Sequence, residues 1–464
     1  MNNRKQTTDR RHFLKAGALT FGALGMGSIA PFLQKSLAGD LPPGKKLLFI
    51  FLRGAMDAVQ AVIPYGDQGR GSAKSYVQAR PNIGIDPDDA HPLNNFCSLN
   101  PALQGDGATD PKLLDIFNGD VDARGANLAF LHRIGYQNQN RSHFSSQQFW
   151  ENGIPGNVKL EEGVFNRYIT NYIDEDRPLQ AATLSGNQVV LMKGETLIPV
   201  INNVDSLQLA SNVELGTFPT ADNPLGTGLK GAYGQAGYNQ GIKYNKKTYD
   251  TGKALLNNLQ FFQDNVLNRP YFPRPEAAPY FDAIGNNGFR NNVRDSARLL
   301  KQIDDIQIVG CNQGGYDTHG GEDTRFPALM RDLGLALTGL YHDLADIWDD
   351  VLVVTMSEFG RTSQENGNRG TDHGEASLCF TMGGAVNGGV YNCNRNNWSN
   401  GDLFSTSNGR YVAHRSDYRN VYNEILSRHL GDPDNQMDSI IPDYASLVSS
   451  DRNGYFDPLN FISA

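Results

Sequence analysis

The stretch Lys46-Leu47-Leu48-Phe49-Ile50-Phe51-Leu52, followed at once by Arg53-Gly54-Ala55-Met56-Asp57, decides the fold. After its first lysine it has no polar interruption and so no solvent-facing alternation. It predicts a strand buried on both faces, the pattern of a parallel sheet. A second run of this kind, Asp350-Val351-Leu352-Val353-Val354-Thr355-Met356, predicts another such strand. Working outward, 127–132, 306–310 and 377–382 read as further strands, and 185–201 as shorter ones. Helical periodicity covers 141–151, with Ser142 as a natural N-cap, and also 247–267, 287–304, 326–348 and 417–430. Residues 205–245, rich in Gly, Asn and Tyr, predict a loop-rich insertion within a region of roughly 205–300. The order of strand, helix and strand predicts an α/β fold: a doubly wound, mostly parallel sheet with helices on both faces.

In such sheets, sites form where the strands end. Asp57 follows the first strand. Asp317 and His319 follow the strand near Gly310, Glu358 and Arg361 follow 350–356, and Asp372 and His373 come soon after. Carboxylates and imidazoles together suit a divalent metal: zinc, or a harder ion such as manganese, magnesium or calcium. Asp57, Asp317, His319, Glu358, Asp372 and His373 are therefore the candidate ligands. Each has a structural alternative. Asp57 would cap a helix, Asp317 and His319 would form a turn, Glu358 and Arg361 would pair as ions, and Asp372 would cap a turn. Ser142, His143 and Arg361 are the candidate catalytic side chains. Ser142 opens a helix, where backbone N–H groups and the helix dipole favour an anion, though it would serve equally as a plain N-cap.

The N-terminus carries a different message. Asp9-Arg10-Arg11-His12-Phe13-Leu14-Lys15, an apolar glycine-rich run over 16–30, and Ser36-Leu37-Ala38 read as a twin-arginine export signal cleaved after Ala38. The expected location is periplasmic or otherwise exported, the expected transient partner is the twin-arginine translocase, and 39–464 is expected to form one domain. Residues 1–38 hold six basic groups and one acid, so removing them takes the net charge from −9 to about −14. An acidic body disfavours nucleic-acid binding, and no later segment is long and apolar enough to span a bilayer. An oxidising compartment permits disulfides among Cys97, Cys311, Cys379 and Cys393; Cys379 and Cys393 are the pair closest in sequence, among three possible pairings.

Several motifs occur together and in order: Arg-Arg-x-Phe-Leu-Lys, Phe-Leu-Arg-Gly-Ala-Met-Asp at 51–57, Arg-Ser-His-Phe at 141–144, Gly-Gly-Tyr-Asp-Thr-His-Gly at 314–320, Ser-Glu-Phe-Gly-Arg-Thr at 357–362 and Gly-Thr-Asp-His-Gly at 370–374. The set resembles the bacterial family DUF1501, over nearly the whole chain. That family resembles the alkaline phosphatase and sulfatase superfamily, whose metal-dependent members hydrolyse phosphate and sulfate esters. The resemblance implies that Asp57 is the first-strand metal carboxylate, Ser142 the nucleophile, Asp317 and His319 ligands of one site, and His373 the distant histidine completing it. One departure stands out: Glu358-Phe359-Gly360 occupies the place where the superfamily usually has Asp-His-Gly.

The expected function is an exported metal-dependent hydrolase of phosphate or sulfate esters, acting on an anionic substrate. The alternative is a non-catalytic binding or assembly protein on the same fold, with 205–245 as its contact surface. A redox enzyme is disfavoured, since no Gly-x-Gly-x-x-Gly follows the first strand and no cysteine cluster is present.

Overall fold

The computed structural model describes residues 44–66, 74–105, 112–160, 162–172, 179–186, 189–194, 196, 198–206, 261–396, 410–431 and 437–463. The expected export signal over 1–38, nearly all of the 205–245 region and most of 247–267 lie outside the described residues. The main sheet contains β1 (Lys46–Leu52), β2 (Leu128–Gly135), β3 (Ala181–Leu184), β4 (Ile308–Gln313), β5 (Val351–Met356), β6 (Ser377–Gly383), β7 (Gly389–Tyr391) and β8 (Ser416–Asp417). Its order is β7-β2-β6-β5-β1-β4-β3, with β8 also on β2. β1 sits between β4 and β5, parallel to both, with Leu47 opposite Ile308 and Leu352. That central place explains its unbroken apolar run: Leu48, Ile50 and Leu52 enter one core and Leu47, Phe49 and Phe51 the other.

Helices cover both faces. α3 (Gly288–Gln302) and α4 (Glu322–Asp343) pack in the first core, through residues such as Val293, Leu300, Phe326 and Leu337. In the second core lie α1 (His143–Asn152), α2 (Val164–Tyr172) and α5 (Tyr418–Glu424), with Trp150 stacked on Tyr418. A separate three-stranded antiparallel sheet joins Val62–Pro64, Cys97–Leu99 and His91–Pro92.

β6 is the exception in direction. It runs antiparallel to β2 and β5. The chain that leaves β5 therefore re-enters the sheet from the same edge, so all of 357–376 stays where the parallel strands end. Within it, Arg361 and His373 form an antiparallel bridge, and Gly374 N–H donates to the Gly360 carbonyl at 2.8 Å.

Three expectations need correction. In 185–201 there is a short 3-10 turn, Val190–Met192, and a bridge from Val200 to Thr183, because the strand ends earlier, at Leu184. α4 begins at Glu322, four residues before the predicted 326, and ends at Asp343, so Pro327 lies inside the helix, where it has no N–H to give to the carbonyl one turn back. The four cysteines are buried free thiols, and Cys379 cannot meet Cys393: Cys379 points into the second core and Cys393 into the first, on opposite faces of the sheet.

Candidate metal centre

Four loops build the site at the C-terminal edge. The loop after β2 leads to α1, whose first residue is His143. The turn after β4 carries Asp317 and His319, and the returning segment after β5 carries Glu358, Arg361, Asp372 and His373. The turn after β1 holds them together. Gly54 N–H donates to Glu358 Oε1 at 2.9 Å, and the Gly54 carbonyl accepts from Arg361 at 2.7 Å.

His143, Asp317 and His373 each present one ligand atom, all within 4.8 Å of one another, a group suited to holding a metal ion. Asp317 Oδ1 lies 3.3 Å from His143 Nε2 and 3.5 Å from His373 Nε2. His319 joins them, its Nε2 being 3.1 Å from Asp317 Oδ1 and 2.9 Å from His373 Nε2.

The opposite ring nitrogens fix the tautomers. His143 Nδ1 meets Glu358 Oε1 at 2.7 Å, His373 Nδ1 meets the Arg141 carbonyl at 2.6 Å, and His319 Nδ1 meets Asp372 Oδ1 at 3.1 Å. A carbonyl or carboxylate only accepts, so each Nδ1 carries a hydrogen, and each ring turns its Nε2 inward. His143 Nε2 is buried and makes no hydrogen bond. The lone pairs of His319 and His373 oppose each other. A cation answers both features, and the pattern of ligand histidines held from behind by carboxylates and carbonyls is the one metal sites use.

Glu358 stands behind His143 and is fully buried. It accepts from Gly54 N–H, His143 and Gln147 Nε2, the last at 2.9 Å. Burial works against its charge, but the bonds from His143 and Gln147 prevail and lower its pKa. In turn Glu358 raises the pKa of His143, against burial. Burial also opposes the charge on Asp317, yet the hydrogen bond and charge of Arg361 hold it at about 2, ionised and ready to bind a cation. His373 is shifted downward by burial and the neighbouring cations, which keeps its ring neutral. Asp372, resisted by burial, is lowered by Asn366 and His319.

Arg361 is 1% exposed and engages the carbonyls of Gly54, Ala55, Tyr316 and Thr371 as well as Asp317 Oδ1, at 2.6–3.1 Å. It positions Asp317 and pins three loops. Phe359, standing where an imidazole was expected by resemblance, forms an apolar wall, with its ring centroid 5.0 Å from that of His143 and 5.1 Å from that of His373.

The structure does not bring Asp57 into this group. Asp57 is fully buried, paired to Arg80 at 2.9 Å, and caps the short helix Ala58–Ala61. Beside it is Glu322, whose pKa is raised by burial and by Asp57, and which accepts from the hydroxyls of Thr318 and Thr371. Ser142 is the N-cap of α1, but its side chain makes no capping bond and is exposed. Sequence reasoning missed Gln147, Arg80 and Glu322. Gln147 lies one turn after His143 on the same helix face, a spacing that offers a retrospective signal.

Residues 296–440 match the family described as "Protein of unknown function (DUF1501)", which supports the family resemblance; the matched segment holds Asp317, His319, Glu358, Arg361, Asp372 and His373. No curated protein matches the chain. No solved structure matches it either.

Proposed function

We propose that this chain is an exported, metal-dependent hydrolase of phosphate or sulfate esters, on an alkaline-phosphatase-like plan. The observation that carries the reading is the convergence of inward-facing imidazole nitrogens, including the buried Nε2 of His143, which makes no hydrogen bond, on the ionised carboxylate of Asp317. His143, Asp317 and His373 would hold a single divalent cation, with His319 beside them. Mixed imidazole and carboxylate donors suit zinc or manganese. Such a cation supplies Lewis acidity to an ester oxygen and favours ionisation of an attacking hydroxyl.

The chain's own residues supply the rest. Glu358 holds the proton on His143 Nδ1, Arg361 fixes Asp317, and Phe359 excludes water from one side. Ser142, whose hydroxyl makes no capping bond, would be the attacking group. Its oxygen bonds to phosphorus or sulfur, the ester alcohol departs with the proton, and water then releases the acid and restores the hydroxyl. One observation favours the second reading, a non-catalytic binding protein: Asp57, the carboxylate that the resemblance assigns to the metal, is committed to Arg80.

The test uses the full chain stripped of metal, then titrated with zinc or manganese. Tight binding of one ion is expected, with loss in His143→Ala and His373→Ala. Hydrolysis of an aryl phosphate or aryl sulfate by the loaded chain supports the enzyme. Binding without hydrolysis of any ester favours the second reading, and no binding rejects the metal centre.

A further inference from the structure

A relay of side chains runs from the end of β1 to the back of His143. Arg53, the first residue after β1, has its guanidinium over the ring of Phe51, 4.5 Å from the centroid. Its Nε donates to Asn312 Oδ1 of β4 at 3.0 Å, and one terminal nitrogen donates to Gln147 Oε1 at 2.8 Å. The other terminal nitrogen pairs with the carboxylate of Glu151, a buried side chain. His143, Gln147 and Glu151 stand four residues apart in α1 and so share one face of it. Arg53 therefore holds the same face of the helix that presents the ligand. Gln147 carries the contact onward. Its Nε2 donates to Glu358 Oε1 at 2.9 Å, and that oxygen meets His143 Nδ1 at 2.7 Å. A guanidinium only donates, so Gln147 turns its oxygen to Arg53 and leaves its N–H groups for Glu358. Without Arg53 the amide is free to rotate, which would set an oxygen against a buried carboxylate.

We propose that Arg53 is a positioning residue of the metal centre, holding Glu358 against His143 through the amide of Gln147 without touching a ligand itself. The proposal rests on the reading of His143 as a ligand. It gives a role to the arginine of Phe-Leu-Arg-Gly-Ala-Met-Asp at 51–57, a motif whose aspartate is committed to Arg80. The contacts to Asn312 and Glu151 serve the same end, since they dock α1 on the ends of β1 and β4. The height of α1 over the sheet and the orientation of its histidine are thus set by one guanidinium.

Zinc affinity of the full chain is measured by calorimetric titration for the parent, Arg53→Met, Gln147→Met and the double variant. Each single change should weaken binding about 10-fold, the low end of the loss for a partner directly behind a ligand. The double variant should bind no more weakly than either single one, because both changes cut the same relay. Additive losses overturn the proposal, as does an Arg53→Met chain that binds like the parent. Arg53→Met leaves the buried Glu151 carboxylate without its cation. If that variant does not fold, Arg53→Met combined with Glu151→Gln takes its place, compared with Glu151→Gln alone. A second readout needs no metal. In the metal-free, histidine-labelled chain, the His143 Nδ1–H bonded to Glu358 should give a downfield proton NMR resonance, identified by its loss in His143→Gln. It should shift upfield in Arg53→Met and Gln147→Met alike. If the parent binds no zinc, the metal reading falls and this resonance alone decides the relay. A parent without the resonance, or an Arg53→Met chain in which it does not move, overturns the proposal.

Discussion

At the residue scale, the centre depends on which ring nitrogen carries the hydrogen. Glu358 makes that choice for His143, since a buried carboxylate 2.7 Å from Nδ1 can only accept. Glu358→Gln keeps the shape but presents an amide and no charge. Its metal affinity should fall about 10- to 100-fold, the usual effect of losing a partner behind a ligand, while the chain stays folded. Calorimetric titration with zinc measures this; unchanged affinity would place Glu358 outside the machinery. Ser142 offers the complementary case. Its hydroxyl makes no capping bond, so Ser142→Ala should leave the stability within about 0.5 kcal/mol of the parent. Ester hydrolysis by the metal-loaded variant should nonetheless fall by orders of magnitude. If the rate survives, a water rather than Ser142 attacks.

The elements place these residues. The antiparallel course of β6 keeps 357–376 at one edge, and backbone contacts too close for a side chain lock the neighbouring turns. Gly54 has φ +111°, and a Cβ there would lie 2.5 Å from the Asp317 backbone nitrogen. Gly54→Ala should therefore cost about 1–3 kcal/mol in backbone strain and also push Asp317 out of place, with loss of metal binding. Gly156→Ala is the control, for Gly156 has φ +87° but a Cβ there would meet nothing within 4 Å. It should lose stability and keep the metal. Denaturant midpoints alongside metal content separate the two effects, and a Gly54→Ala protein that binds normally would refute the coupling of these turns.

Over the whole molecule, acid stability is set by groups far from the site. His132 and His429 are buried among sheet and helix, His132 against the Val62 carbonyl and His429 against the Lys46 carbonyl. Burial depresses both to about 4, from 6.5. The unfolded chain takes up protons on these histidines first. Stability they contribute is thus complete above pH 6.5 and is lost as pH falls from there through about 4. Asp317, Glu358 and Asp372 are depressed carboxylates. Their contribution is present above the ordinary carboxylate range and disappears only at lower pH. The melting temperature should decline in two stages on acidification, the first in the histidine window. A melting temperature that stays constant down to about pH 4 would contradict it.

The sequence by itself determined the strands of the sheet's centre, because β1 and β5 are buried on both faces and their composition has no room for anything else. It also marked the edge where the site lies, since Asp317, His319, Glu358, Arg361 and His373 follow strand ends. It could not tell which polar groups meet. Asp57 and Asp317 both follow strands, yet Asp57 goes to Arg80, a partner from a separate segment of the chain, and Asp317 to the histidines. Nor could it show that Cys393, near Cys379 in the chain, lies across the sheet from it. Strand direction and the face a side chain takes depend on pairing between distant segments. Local composition carries no record of that pairing, so only the tertiary structure decides it.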